Sequence, residues 1–333
     1  MSLKLKKLTG GLFELKKLKS KSFSKEELLA KLNEEESQYY VLAEGDGIKV
    51  ESFDLTAAYV ESEVFKLSDV YSETKVIENN RIELYNFRLN ASLKMGLEDL
   101  ASTLEGYSNK IEGKIAVSFS GGLDSSLLAW IFRESSPLLI TIGLRDSEDI
   151  RASKESSKEL GLEHFVYEVS EKEIKQAVSS VCAAASTPMD ISLASGFYIV
   201  SKVAKEQGAE VLLIGQLADE LYGGYKKYES VPLDKLNGVL YEDLKKAILA
   251  LRRDSKIVLS NGVLPVFPYG FKTFLLGSLS LPPHLKVQKA GLRKIGEILG
   301  LPKKIIASKK KAFQYGSKID KAVRKILSES CKV

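Results

Sequence analysis

Lys114-Ile115-Ala116-Val117-Ser118-Phe119-Ser120-Gly121-Gly122-Leu123-Asp124-Ser125-Ser126 runs from an apolar strand into a glycine turn and on into a helix. Residues 114–119 are almost continuously apolar, the pattern of a strand covered on both faces of a sheet. Gly121 and Gly122 let the backbone turn tightly and offer N–H groups without interference from a Cβ. Ser125 and Ser126 open the helix, where free N–H groups and the helix dipole favour an anion. Asp124 is out of place beside an anion unless a cation sits between them, and magnesium bridging the carboxylate to phosphates resolves the conflict. The loop has no lysine of the phosphate-loop type, so transfer of a γ-phosphoryl group is not its implied chemistry. Ser118, Ser120, Gly121, Gly122, Asp124 and Ser125 are the candidate nucleotide-binding residues of this segment.

Downstream, strands and helices alternate. Residues 138–142 predict a second strand. Ser147 is a good N-cap for a helix to Leu160, which Gly161 ends. Residues 165–169 predict a third strand, 171–184 and 192–207 two helices, and 211–214 a fourth strand. This order implies an α/β fold with a doubly wound parallel sheet. Beyond residue 233 the chain reads as mostly helical, over 240–253, 271–279, 288–299 and 319–327. Upstream, residues 39–42, 48–53 and 81–89 read as short strands, with Glu44-Gly45-Asp46-Gly47 as a hairpin turn. The expected division is a small β-rich domain over 1–92 and a nucleotide domain with a helical C-terminal part over 93–333. Apolar positions Leu93, Met95, Leu97, Leu100 and Leu104 start the second with a helix.

Composition narrows the function classes. Two cysteines, Cys182 and Cys331, exclude a disulfide scaffold and a cysteine-rich zinc module. Two histidines, His164 and His284, leave few ways to build a Ser-His-Asp hydrolase. The 49 basic residues are interleaved with 44 acidic ones for a net charge of +5, so no nucleic-acid partner is expected. No apolar run is long enough to span a bilayer and the lysine-rich first twenty residues hold no apolar core, which points to a cytoplasmic protein without a membrane partner. Cys182 reads as a core residue and His164 as a structural one.

The glycine turn resembles the pyrophosphate loop of the ATP pyrophosphatases, which cleave ATP between its α- and β-phosphates and share an adenine nucleotide alpha hydrolase-like fold. Further segments are similar to asparagine synthetases: Thr141-Ile142-Gly143-Leu144 with Ser147 and Asp149; Leu160-Gly161-Leu162-Glu163-His164; Ala185-Ser186-Thr187-Pro188-Met189; Ile214-Gly215-Gln216-Leu217-Ala218-Asp219-Glu220-Leu221-Tyr222-Gly223-Gly224-Tyr225; Lys289-Ala290-Gly291-Leu292-Arg293; and Lys310-Lys311-Ala312-Phe313. The resemblance covers residues 95–318. It implies ATP and Mg2+ as cofactors, pyrophosphate held by Ser120, Gly121 and Gly122, and metal held by Asp124 and Asp219. It also implies adenosine held at Ile142, Ile214 and Gly215. It gives Lys310, three residues before Phe313, the role of a cation on the leaving pyrophosphate, a large electrostatic contribution to catalysis.

The resemblance breaks on the acceptor side. Glutamine-dependent asparagine synthetases begin with a catalytic cysteine on a glutaminase domain; here Ser2 follows Met1, no cysteine precedes Cys182, and the region ahead of the loop is far shorter than that domain. Gln216 stands where the family has an acid that helps ammonia lose a proton, and a neutral amide is no useful base. Ala184 stands where the family has an arginine, and Pro268-Tyr269-Gly270-Phe271 where it has Pro-Phe-Leu-Asp. The expected function is an asparagine synthetase-like ligase that adenylates a small-molecule carboxylate, releasing AMP and pyrophosphate, for amide formation with ammonia or an amine. Lys310, Asp219 and Gln216 are its candidate catalytic residues, with a separate glutaminase subunit as one ammonia source. The rival readings are a nucleobase- or tRNA-modifying ATP pyrophosphatase and a nucleotide-binding subunit without catalysis.

Overall fold

The computed structural model describes residues 3–10, 22–24, 26–27, 39–45, 48–54, 72–78, 81–85, 94–185, 187–308 and 316–330. The chain divides into two compact units. One comprises residues 1–111, 216–249 and 266–290; the other comprises 112–215, 250–265 and 291–333.

The first unit carries an antiparallel sheet of six strands: β1 (Leu3–Gly10), β2 (Ser22–Phe23), β3 (Tyr39–Gly45), β4 (Ile48–Asp54), β5 (Ser72–Glu78) and β6 (Arg81–Tyr85), in the order β2-β1-β3-β4-β5-β6. The expected hairpin is present, since β3 and β4 pair from Tyr39↔Asp54 to Gly45↔Ile48. Its turn residues Asp46 and Gly47 lie outside the described residues, as do 86–89 of the third expected strand. Strands β1 and β5 were not expected. In β1 Leu3 and Leu5 alternate with Lys4 and Lys6, but the adjacent Lys6 and Lys7 break the period where the register against β3 shifts between Leu5 and Lys7, so no clean strand pattern shows in the sequence. The unit continues with helix α1 (Leu97–Gly106), which buries Leu100, Ala101 and Leu104.

The second unit is built on five strands. These are β7 (Ile115–Ser118), β8 (Leu138–Gly143), β9 (His164–Glu168), β10 (Val211–Leu213) and β11 (Leu264–Val266), in the order β11-β10-β7-β8-β9. β7 pairs in parallel with β8 and β10, and β8 with β9. Ile115, Ala116 and Val117, all six residues of β8 and all three of β10 are buried, as central parallel strands require. β11 contains Pro265 and lies at the sheet edge, where a missing N–H is tolerated.

The strands are joined by α2 (Leu123–Ile131), α3 (Glu148–Leu160), α4 (Glu171–Val181) and α5 (Pro188–Glu206). Ser147 caps α3 by accepting from Ile150 N–H, and Gly161 ends it in the left-handed conformation, as expected. Helix α5 starts four residues earlier than expected. Pro188 occupies its first turn and Thr187 caps it, a place where proline costs nothing. The later helices are α6 (Ala218–Tyr222), α7 (Leu233–Ser260), α8 (Lys272–Ser280), α9 (Ala290–Ile298), α10 (Lys303–Ala307) and α11 (Ile319–Ser330). α7 is much longer than the expected 240–253. The architecture is the expected doubly wound parallel sheet, with a helical C-terminal part and an antiparallel β-sheet at the N-terminal end of the chain. No described helix is long and apolar enough to cross a membrane.

Candidate functional site

In the second unit, β7 ends in the glycine turn. Pairing continues one residue past the strand, with Phe119 N–H donating to the Ile140 carbonyl at 2.8 Å. The Thr141 hydroxyl donates to the Phe119 carbonyl at 2.7 Å and meets His164 Nε2 at 2.8 Å, and His164 Nδ1 meets the Ser157 hydroxyl at 3.1 Å. Burial, and then the charge of Lys154, lower the His164 pKa, so the ring is neutral at pH 7. The structural reading of His164 gains its reason: it braces the root of the turn.

Gly121 has φ +73°, and a Cβ on it would lie 2.6 Å from the Ala152 carbonyl carbon and the Ser153 nitrogen. Only glycine fits. Its carbonyl accepts a hydrogen bond from the Ser156 hydroxyl at 2.8 Å, so helix α3 grips the turn from the side. Gly122 is the N-cap of α2 and has no side chain to cap the helix, which leaves its first N–H groups facing outward. Ser120 N–H donates to the Ser125 hydroxyl at 3.2 Å, and that hydroxyl donates to the Gly122 carbonyl at 3.3 Å. Ser125 thus folds the turn onto its own helix. Ser120 and Asp124 are half-buried.

The other expected positions of this unit gather at the same edge of the sheet. Ser118 ends β7, Ile142 lies near the end of β8, and Ile214 and Gly215 follow β10. Ile142 and Ile214 are buried. A Cβ on Gly215 would stand 3.3 Å from the Asp124 Cβ and 3.5 Å from the Ser125 nitrogen, so the β10 end abuts the start of α2. This is the carboxyl edge of a parallel sheet, where such folds place their ligands. The chain returns to this edge at its far end, where Leu144 N–H donates to the Ser317 carbonyl at 3.0 Å. Lys310, with Lys311 and Phe313, lies outside the described residues.

In the first unit, Gln216 and Leu217 lead into α6, with Leu217 at φ +73°. Gln216 and Asp219 are partly exposed. Asp219 Oδ1 pairs with Lys289 Nζ at 2.6 Å. Its neighbour Glu220 is buried and accepts from the Tyr225 hydroxyl at 2.8 Å. Burial first, and the charge of Asp219 second, push the Glu220 pKa up to about 7. The contacts of Lys289 and Ser156 were not legible in the sequence. Lys289 stood within a segment that matched the family's spacing, but nothing in that spacing assigned it a partner. Phe271 is buried and packs edge-to-face on Tyr107, with ring centroids 4.5 Å apart. Cys182 is exposed, which corrects the expectation that it is a core residue: it sits one residue past the end of α4, beyond the buried Val181.

The donor set suits the expected groups. Outward N–H groups at the start of α2, a turn with no room for a Cβ and the Ser120 hydroxyl suit phosphate oxygens. The described residues include no cluster of three or more metal-binding side chains. Magnesium, which keeps several waters and is held by one or two carboxylates plus phosphates, needs no such cluster.

Residues 111–264 match the asparagine synthase family model. The chain is 30% identical over 192 residues to a candidate glutamine-hydrolyzing asparagine synthetase of Methanocaldococcus jannaschii, covering 55% of this chain and 36% of that protein. It is 29% identical over 238 residues to the human glutamine-hydrolyzing asparagine synthetase, covering 65% and 42%. The chain therefore spans about two fifths of the length of these relatives. Among solved structures, the NMN synthetase of Francisella tularensis is similar with a TM-score of 0.39 and 12% identity, over 71% of this chain and 87% of that one.

Proposed function

We propose that this chain is an ATP-dependent carbon–nitrogen ligase of the asparagine synthase kind. A carboxylate oxygen attacks the α-phosphorus of ATP, pyrophosphate leaves, and a nitrogen nucleophile then displaces AMP to form an amide. The observation that carries this reading is the glycine turn: Gly121 held at φ +73° against α3, at the uncapped start of α2, with Asp124 in that helix's first turn and no phosphate-loop lysine. Backbone N–H groups of the turn and the Ser120 hydroxyl bind the departing pyrophosphate. The ends of β8 and β10, at Ile142, Ile214 and Gly215, receive the adenosine. Asp124 and Asp219 are the candidate carboxylates for Mg2+, which when bound supplies positive charge to the phosphates. Lys310 adds a fixed cation on the leaving group.

The acceptor is the less conventional half. Gln216 can orient ammonia or an amine but cannot take its proton. Ala184 and the buried Phe271 offer no charge to a second carboxylate. A site that has lost such groups discriminates poorly for a substrate that carries them. The reading therefore includes weak use of free aspartate, with ammonia supplied free, as an amine substrate, or by a separate glutaminase subunit. Residues 1–92 are the β-rich domain of this reading.

The test is the product balance. Purified chain with Mg2+, ATP, ammonium and a panel of carboxylates should release AMP and pyrophosphate in equal amounts, and Asp124→Ala should abolish this. Stoichiometric ADP and inorganic phosphate would refute the reading. Half-saturation by aspartate in the sub-millimolar range would make the chain a plain ammonia-using asparagine synthetase.

A further inference from the structure

Asp219 does not stand open to solvent. Lys289 Nζ lies 2.6 Å from its Oδ1, and the two side chains retain only 24% and 15% of their exposure. Several features of the first unit serve this one contact. Gln288 and Lys289 both adopt left-handed φ, +48° and +60°, a conformation unfavourable for two consecutive non-glycine residues. A Cβ on Gly224 would overlap both Asp219 Oδ1 and Lys289 Cε, so the ion pair occupies space that any other residue would fill. A Cβ on Gly223 would overlap the Lys286 carbonyl, so this glycine lets the segment before Lys289 close on the end of α6. The Gly224 N–H donates to the Asp219 carbonyl at 2.9 Å and fixes the turn.

Resting on the reading that Asp219 is a magnesium carboxylate, we propose that Lys289 is a built-in counter-ion that occupies Asp219 and denies it to a free divalent cation. An ammonium 2.6 Å from the oxygen repels an incoming divalent ion. Magnesium also gives up its waters reluctantly, so it does not win this exchange alone. A lysine ammonium is a compact charge on a flexible stem and moves readily to a stronger anion. While the pair is closed, free Mg2+ is refused.

The test uses Mn2+ as probe, titrated into the full chain without nucleotide and followed by the electron paramagnetic resonance of the free ion. The wild type should bind weakly. Lys289→Met should tighten binding by at least about tenfold, within the range of ordinary site-to-site coupling. Adding Asp219→Asn to Lys289→Met should cancel the gain, and Lys289→Arg, which keeps the charge, should bind like the wild type. Thermal melts establish that each variant is folded, and Lys289→Gln replaces Lys289→Met if the latter is not. Unchanged Mn2+ affinity in the folded neutral variant overturns the inference, as does a gain that survives Asp219→Asn. A parallel titration with magnesium-ATP separates the two readings. Normal nucleotide binding with no Mn2+ gain sinks the counter-ion alone. A Mn2+ gain without nucleotide binding keeps the counter-ion and sinks the ligase.

Discussion

The Ser156 hydroxyl donates to the Gly121 carbonyl at 2.8 Å across 35 residues of sequence, joining helix α3 to the turn that ends β7. The bond is buried, so its loss leaves a carbonyl without water or partner. Ser156→Ala should cost about 1–3 kcal/mol. It should also weaken nucleotide binding, because the turn loses its lateral brace. Urea unfolding and calorimetric titration with magnesium-ATP check the two halves separately.

Gly121→Ala tests the turn from the other side. The left-handed φ disfavours any Cβ, and the backbone at Ala152 and Ser153 leaves no room for one. We expect a loss of about 2–5 kcal/mol from strain and overlap together. A stability within about 0.5 kcal/mol of the wild type, within the range of ordinary surface substitutions, would mean that α3 yields and that the turn is not built around glycine.

Gln216→Glu restores an acid where the resemblance expects one. If loss of a proton from the nitrogen nucleophile limits the rate, ammonium-dependent pyrophosphate release should rise about a hundredfold, the usual scale of a positioned base. The assay is initial rate against ammonium at fixed ATP. An unchanged rate would mean that the nucleophile is deprotonated elsewhere.

Lys286 gives a prediction in pH. It is 1% exposed, donates to the Leu279 carbonyl at 2.8 Å, and burial brings its pKa from 10.5 down to about 8. Below pH 8 both the folded and unfolded chains hold the proton, and the folded one carries the cost of a buried charge. Between pH 8 and 10.5 the unfolded chain still holds a proton that the folded one has released, so unfolding free energy rises with pH. The rise from this one group approaches about 3 kcal/mol. Denaturant melts across this range should show it in the wild type and lack it in Lys286→Met; parallel profiles would refute it.

What the sequence disclosed follows from how local each signal is. The strand and turn at 114–126 could be read because apolar run, glycines and helix start are contiguous. The parallel sheet followed from the alternation of elements alone. Helix α5 begins at Pro188, four residues ahead of the expected start, because Thr187 caps it and a first-turn proline needs no N–H partner. Strand β1 was lost among lysines. The Asp219–Lys289 pair and the Ser156 brace join residues far apart in sequence, and no periodicity or spacing encodes such a meeting. Lys310 was singled out only by the resemblance to asparagine synthetases and lies outside the described residues.

The position of β7 between β8 and β10 bears on synthesis of the chain. Strands β3 to β6 pair each with the next, so that sheet can assemble as the ribosome delivers it. β7 meets β8 soon after leaving the exit tunnel, but its other neighbour begins at Val211, paired with Ile115. For the whole intervening stretch of translation the strand that carries the glycine turn has one open edge, the kind of surface on which unfinished chains aggregate. A message truncated or stalled before the codon for Val211 therefore yields a product prone to stick to itself, whereas one extending past Leu213 can cover that edge of β7 with β10.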